Sequence, residues 1–233
     1  MYKDNNDNDS SIYKGNSNNV DGWLQLNRRL GKAGRNITFD GGAGYSQNEN
    51  TSFSRSEITY FQQHRSDFTN QYIPAPSTNY NGRARLSYSE PIIGALNVQF
   101  SYQYQYRYTK SDRSTYDFSD VYNATITNAW TPAYRSWDAY LLPYRPIDAY
   151  LDADLSRFSE YKNYIHTAEV MLRIVRKAYT FNAGVRFIPQ KSHFVQDYQG
   201  VHADTTRTVT NFTPTLDFRW KKSQTGQLRF TYR

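Results

Sequence analysis

Four histidines, His64, His166, His193 and His202, are the side chains best suited to bind a metal or move a proton near neutral pH. None sits in an H-E-x-x-H or i/i+4 arrangement, so all four read as loop or interface histidines and no metal is expected. Asp4, Asp7 and Asp9, interleaved with Asn6 and Asn8, have the spacing of a calcium loop, but Ile12 stands where the turn glycine is needed. A solvated loop is the plainer reading. There is no cysteine, which removes disulfides, thiol catalysis and thiolate-held metals together. No G-x-S-x-G turn and no phosphate-binding glycine loop occurs. Gly41-Gly42-Ala43-Gly44 falls inside an alternating segment, where small residues permit curvature or close packing. Neither catalysis nor a cofactor is expected.

The richest patch for ligand contact is the segment from about 110 to 160. Trp130, Tyr134, Trp137, Tyr140 and Tyr144 are its candidate contact residues, beside carboxylates such as Asp138, Asp148 and Asp152. Aromatic faces next to acids suit sugars or peptides; the alternative is that the rings pack on one another. Leu151, Leu155 and Phe158, after Pro146, are spaced as one face of a short helix.

The elements that must position these groups are strands. Between Leu96 and Thr109 the side chains alternate without an error: Leu96, Val98, Phe100 and four tyrosines on one face, and Asn97, Gln99, Ser101, Gln103, Gln105, Arg107 and Thr109 on the other. The same period of two recurs around 23–30, where it is weakest, and around 36–46, 80–88, 163–174, 179–187, 211–220 and 227–233, giving eight strands and an all-β, antiparallel up-and-down meander. Tight turns punctuated by Gly or Pro are expected at Gly31–Gly34, Pro91–Ala95, Arg176–Ala178 and Lys222–Gly226. Between them lie long connections at about 47–78, 110–160 and 191–208, and residues 1–19 read as a polar N-terminal loop ahead of a barrel segment over 20–233. Short turns at one end and long loops at the other is the pattern of a transmembrane β-barrel.

Aromatic placement agrees. Tyr88, Tyr179 and Trp220 fall at the tight-turn end, and Tyr45, Tyr104, Tyr106, Tyr108 and Tyr164 at the other, as two interfacial girdles would. Lys32, Arg35, Arg176, Lys177, Lys221 and Lys222 collect at the tight turns, where lipid headgroups would meet them. The second face carries Asp40, Arg83, Arg85, Arg107, Glu169, Arg173, Arg186, Asp217, Arg219 and Arg229. So many charges are too costly in a dry core, so they are expected to line a wet lumen or a polar plug.

Composition fits. The 233 residues carry 28 basic and 21 acidic side chains for a net charge of +7, and 17% are aromatic, with 22 tyrosines. Leu, Ile, Val and Phe make up only about 19%, close to the boundary at which a soluble core fails. No run approaches a membrane helix, and the N-terminus shows no charged-then-apolar signal segment. Cations and aromatics lie on opposite faces of each strand, which argues against nucleic acid, since stacking on single strands needs both on one face.

Several stretches resemble the outer-membrane β-barrel domain of TonB-dependent-receptor-like proteins of the Bacteroidota. They are Leu30-Gly31-Lys32-Ala33-Gly34-Arg35, Leu86-Ser87-Tyr88-Ser89-Glu90-Pro91, Val98–Tyr104, Asn211-Phe212-Thr213-Pro214-Thr215-Leu216 and Leu228–Arg233. The resemblance covers most of the chain from about residue 20, although the long loops carry little of it. It implies a longer parent with a plug and more strands, with this chain an internal barrel segment of a Gram-negative outer membrane. The partners it implies are outer-membrane lipid, the rest of the barrel and its plug, and the TonB system through an N-terminal part. The expected function is nutrient transport at the cell surface. The alternatives are a non-transporting surface protein, adhesin or assembly partner, whose barrel anchors its loops, and a soluble β-sandwich.

Overall fold

Period-two alternation becomes backbone geometry in the computed structural model, which describes residues 5–121, 141–221 and 226–232. Eight strands run in chain order: β1 (Asn5–Arg29), β2 (Asn36–Tyr60), β3 (Arg65–Ile93), β4 (Leu96–Asp117), β5 (Leu151–Val175), β6 (Tyr179–Tyr198), β7 (Val201–Lys221) and β8 (Gln227–Tyr232). Among the described residues each is hydrogen-bonded to its sequence neighbours only, all pairs are antiparallel, and β1 and β8 are the two edges of one open sheet. Among the described residues no helix is long and apolar enough to cross a membrane.

The first two tight turns stand where Gly and Pro place them, residues 176–178 join β5 to β6, and the turn expected at Lys222–Gly226 falls outside the described residues but for Gly226. Gly31, Gly34 and Gly94 all have positive φ, the left-handed region that glycine enters without a Cβ clash. Arg35 Nε and Nη2 donate to the two carboxylate oxygens of Glu90 at 2.8 and 2.7 Å, and Lys32 Nζ donates to the Pro91 carbonyl at 2.7 Å. The first two turns are thereby tied side by side.

Strand lengths depart from the sequence expectation. Residues 5–19, expected as a polar loop, are the first part of β1, paired with Ser46–Tyr60. The segment 47–78 is a hairpin of β2 and β3 closed by Phe61–His64, and 191–208 is a hairpin of β6 and β7 closed by Gln199 and Gly200. Of the long connection expected at 110–160, residues 110–117 belong to β4 and 151–160 to β5, and the helix expected through Leu151, Leu155 and Phe158 is the start of β5. The regular turns nearby are two short 3-10 helices, Leu142–Tyr144 and Ile147–Tyr150. The physical reason is common to all of these. In these outer stretches the paired residues are mostly Ser, Thr, Asn and charged side chains, so the backbone ladder persists with no alternation of greasy and polar residues to mark it. Asp7 and Asp9 lie in this extended backbone, which cannot wrap a calcium ion as a loop does.

Proline leaves a mark on the ladder. Pro74 and Pro76 lack the N–H that a central strand needs, and the β3–β4 register is interrupted between Tyr72 and Ser77. Opposite that gap β4 and β5 bulge between Arg113 and Thr115. Thr115 is sealed in by its amide, which donates to Ser156 Oγ at 2.9 Å, and by its hydroxyl, which donates to the Leu155 carbonyl at 3.1 Å.

The hydrophobic packing is inverted relative to a soluble domain. Among the described residues the buried apolar cluster is Phe53, Phe118, Leu141 and Tyr144, all at the end away from the tight turns. Leu86, Phe100, Val170, Leu172, Phe187, Phe212 and Phe230 are exposed on one face of the sheet. The eight strands form a single layer, with no second sheet among the described residues to cover them.

Candidate functional site

The face opposite the apolar residues is the candidate site, and cross-strand register assembles it. Asp40 stands opposite Arg85, Ser101 opposite Glu169, Glu169 opposite Arg186, and Asn182 between Arg173 and Asp217. Residues directly opposite in an antiparallel pair project to the same side, so these charges share one face.

Glu169 is its centre. The carboxylate is only 7% exposed; Oε1 accepts from Arg186 Nε at 2.9 Å, and Oε2 accepts from Ser101 Oγ at 3.3 Å and Arg85 Nη2 at 3.5 Å. A buried carboxylate is tolerable only when cations and donors replace its water, and here β3, β4 and β6 supply them. Ser101 has no charge to draw attention in sequence; its place opposite Glu169 is the signal that finds it. Nearer the tight turns, Asp217 accepts from Arg229 Nε at 2.9 Å and Thr231 Oγ1 at 3.0 Å. These residues, with Gln99, Arg173, Asn182 and Arg186, line a concavity of about 410 Å³ on this face.

Cations exceed acids here. Four acids, Asp21, Asp40, Glu169 and Asp217, stand among seven arginines, Arg83, Arg85, Arg107, Arg173, Arg186, Arg219 and Arg229. Arg219 lies directly opposite Arg229 across β7 and β8. Trp23, from the edge strand β1, lies on this face too, opposite Gly42 and 79% exposed. Sequence reasoning missed it because the β1 pattern is weak.

The aromatic candidates divide. Trp130, Tyr134, Trp137 and Tyr140 lie outside the described residues. Tyr144 does not offer an open ring face to a ligand. It is 2% exposed, stacks on Phe118 with centroids 4.0 Å apart at 13°, and its hydroxyl accepts from Asn70 Nδ2 at 3.0 Å. Burial pushes the Tyr144 phenol above its ordinary pKa. With Phe53 and Leu141 it forms a small cap at the far end of the hairpins, against which Ile12, Tyr72, Tyr116 and Tyr150 pack.

The histidines do not converge. His166 Nδ1 meets Tyr102 Oη at 2.7 Å, His193 Nε2 meets Asp204 at 2.8 Å, and His202 pairs with Asp197 at the β6–β7 tip. Hydrogen bonding to Asp197 and its charge hold the His202 imidazole above its ordinary pKa. Among the described residues no three of His, Asp and Glu are grouped to hold a metal. At the turns, Arg35 first and the Tyr88 hydroxyl second hold Glu90 well below the usual carboxylate range, at about 2.

Aromatic rows bound the apolar face. Tyr45 and Tyr80 have centroids 5.0 Å apart, Tyr80 and Tyr108 5.5 Å, Tyr104 and His166 5.1 Å, and Tyr106 and Tyr164 5.1 Å. Tyr88, Tyr179 and Trp220 stand at the opposite boundary.

No family model matches the chain, and no curated protein does. Among solved structures the chain is similar to the ferric citrate transporter FecA, with a TM-score of 0.43 and 11% identity over 84% of this chain and 27% of that one. It is also similar to the ferric yersiniabactin uptake receptor FyuA from Yersinia pestis, with a TM-score of 0.43 and 9% identity over 89% and 36% of the two chains. The alcaligin outer-membrane receptor FauA from Bordetella pertussis gives 0.43 and 10% over 97% and 40%. The chain thus spans between about a quarter and two fifths of the length of these structures.

Proposed function

We propose that the chain is a segment of an outer-membrane transport barrel of TonB-dependent-receptor type, whose apolar face meets lipid and whose charged face lines a shielded, wet passage. One observation carries the membrane reading: the apolar face has the same height on successive strands. It runs from Ile37 to Tyr45 on β2, Tyr80 to Tyr88 on β3, Val98 to Tyr108 on β4, Tyr164 to Ile174 on β5, Tyr179 to Phe187 on β6 and Phe212 to Trp220 on β7, and the register brings these stretches level. Segments of this length, at ~3.3 Å per residue and ~45° of tilt, span roughly 21–26 Å, which matches the ~25 Å apolar band of outer-membrane barrels. In water the same face would be a large uncovered apolar patch.

Transport rather than anchoring is favoured by the charged face. A barrel that serves only as an anchor gains by filling its lumen with matched charges, whereas seven arginines to four acids leaves a surplus for a passing solute or a plug. The remaining strands, the plug and the TonB system are the partners this reading requires, and the loops beyond the tyrosine row would select the nutrient. Deleting the gene in its host should slow growth on one limiting nutrient, and inactivating the inner-membrane energy-coupling protein should slow it equally. Unchanged growth together with lost adhesion to surfaces or partner cells would favour the anchoring alternative instead.

A further inference from the structure

The net charge of the chain is not spread along it. At the rim formed by the tight turns, Arg28, Arg29, Lys32, Arg35, Arg176, Lys177 and Lys221 stand against a single acid, Glu90, among the described residues. In the hairpins beyond the tyrosine row, at 5–19, 46–79, 109–121, 141–163 and 188–211, ten lysines and arginines face fourteen acids. One end of the sheet is therefore strongly positive and the other negative.

Glu90 is already occupied by Arg35, with Lys32 at 4.0 Å. Arg28, Arg29, Arg176, Lys177 and Lys221 have no acidic partner among the described residues. Arg28 lies on the apolar side of the sheet, in line with Ile37 and Tyr88, so its charge stands at the edge of the greasy band. The Arg176 guanidinium reaches across to the neighbouring turn at Gly94. The cations thus form a belt just past Tyr88, Tyr179 and Trp220, at the depth of headgroups if the apolar band lies in acyl chains.

We propose that this rim binds the anionic headgroups of phospholipids in the leaflet it meets, in preference to zwitterionic ones. The inference rests on the membrane-spanning reading and adds headgroup selection to it. Each cation near an anionic surface strengthens association several-fold and does so electrostatically, so the preference must fall with salt. The aromatic boundary fixes the depth of the belt, and the excess of acids at the other end gives the molecule one preferred orientation in an asymmetrically charged bilayer.

The test is electron paramagnetic resonance of spin-labelled lipids with the chain reconstituted in phosphatidylcholine vesicles. Phosphatidylglycerol and phosphatidylcholine probes are compared by the fraction immobilised at the protein surface. The expected result is a preference of about threefold or more for the phosphatidylglycerol probe at low salt, falling to near unity in 0.5 M salt. The same loss is expected for the combined substitutions Arg28→Gln, Arg29→Gln, Arg176→Gln and Lys177→Gln, whereas replacing the three arginines by lysine should keep the preference. Equal immobilisation of both probes, or a preference that survives both salt and substitution, overturns the proposal while leaving the membrane reading intact. No immobilised fraction for either probe overturns the membrane reading and this inference with it. The salt series uses the unaltered chain, so it stands even if the fourfold variant does not reconstitute.

Discussion

At the scale of single residues, Glu169 tests whether the charged face is an organised network. Glu169→Gln keeps the shape and removes the charge that holds Arg85 and Arg186 together. Both arginines are partly solvated, so the loss should be smaller than for a fully buried ion pair, about 1–3 kcal/mol. Unfolding by denaturant in detergent micelles measures it, and an unchanged midpoint would mean the network contributes nothing. His202 makes a prediction with a sign. Asp197 raises its folded-state pKa above the ordinary 6.5, so the pair stabilises the tip fully below that value and loses its contribution as pH rises through the raised one. Amide exchange at residues 198–201, corrected for its intrinsic pH dependence, should speed up from pH 6 to pH 8. Asp197→Asn should flatten the response. Glu90 behaves oppositely: its depressed pKa means that the tie between the first two turns holds above about 4.5 and weakens as pH falls toward 2.

At the scale of elements, the hairpins beyond the tyrosine row are the part that sequence reading misjudged. The residues that pair there are mostly Ser, Thr, Asn and charged side chains, as in Gln47–Ser56 against Thr69–Thr78, and these carry no period of two. Where one face is wholly apolar the alternation shows directly, and so β4 was legible to within a residue at its start. Where neither face is apolar only the turn chemistry remains as a signal. Gln199 and Gly200 supply it, with φ of 51° and 71°, the two-residue turn that matches the twist of a hairpin. Gly200→Val should cost about 1–2 kcal/mol of tip stability by forcing a branched side chain into the left-handed region. Proteolysis at the tip should increase while the band stays protected. The charged face was legible because period two fixes the side of each residue, but its pairings were not, since register across strands decides which Arg meets Glu169. Tyr144 was legible as an aromatic that either meets a ligand or packs on other rings, but its partners were not, because Phe53 comes from β2 and Phe118 from just past the end of β4. Tyr144→Ala should remove about 3–5 kcal/mol from the cap, seen as faster exchange at Asn70 and Phe118 with no change at residues 98–106.

At the scale of the whole molecule, the apolar face ends at a boundary that the backbone ignores. β4 continues without a break in its chain through Tyr108 to Asp117, yet the apolar residues stop at the tyrosine row. The chain has no cysteine, so single cysteines can be placed from residue 97 to 116 and spin-labelled one at a time in lipid vesicles. Accessibility to oxygen, which concentrates in acyl chains, and to a water-soluble nickel chelate should alternate with a period of two from 97 to 108. Positions 98, 100, 102, 104 and 106 should favour oxygen, and 97, 99, 101, 103 and 105 the chelate. From 109 onward both parities should favour the chelate, apart from residues 115 and 116, which are held under the bulge and the cap. Absence of alternation, or oxygen-rich labels at 99 and 101, would contradict the claim that one face of this sheet lies in lipid.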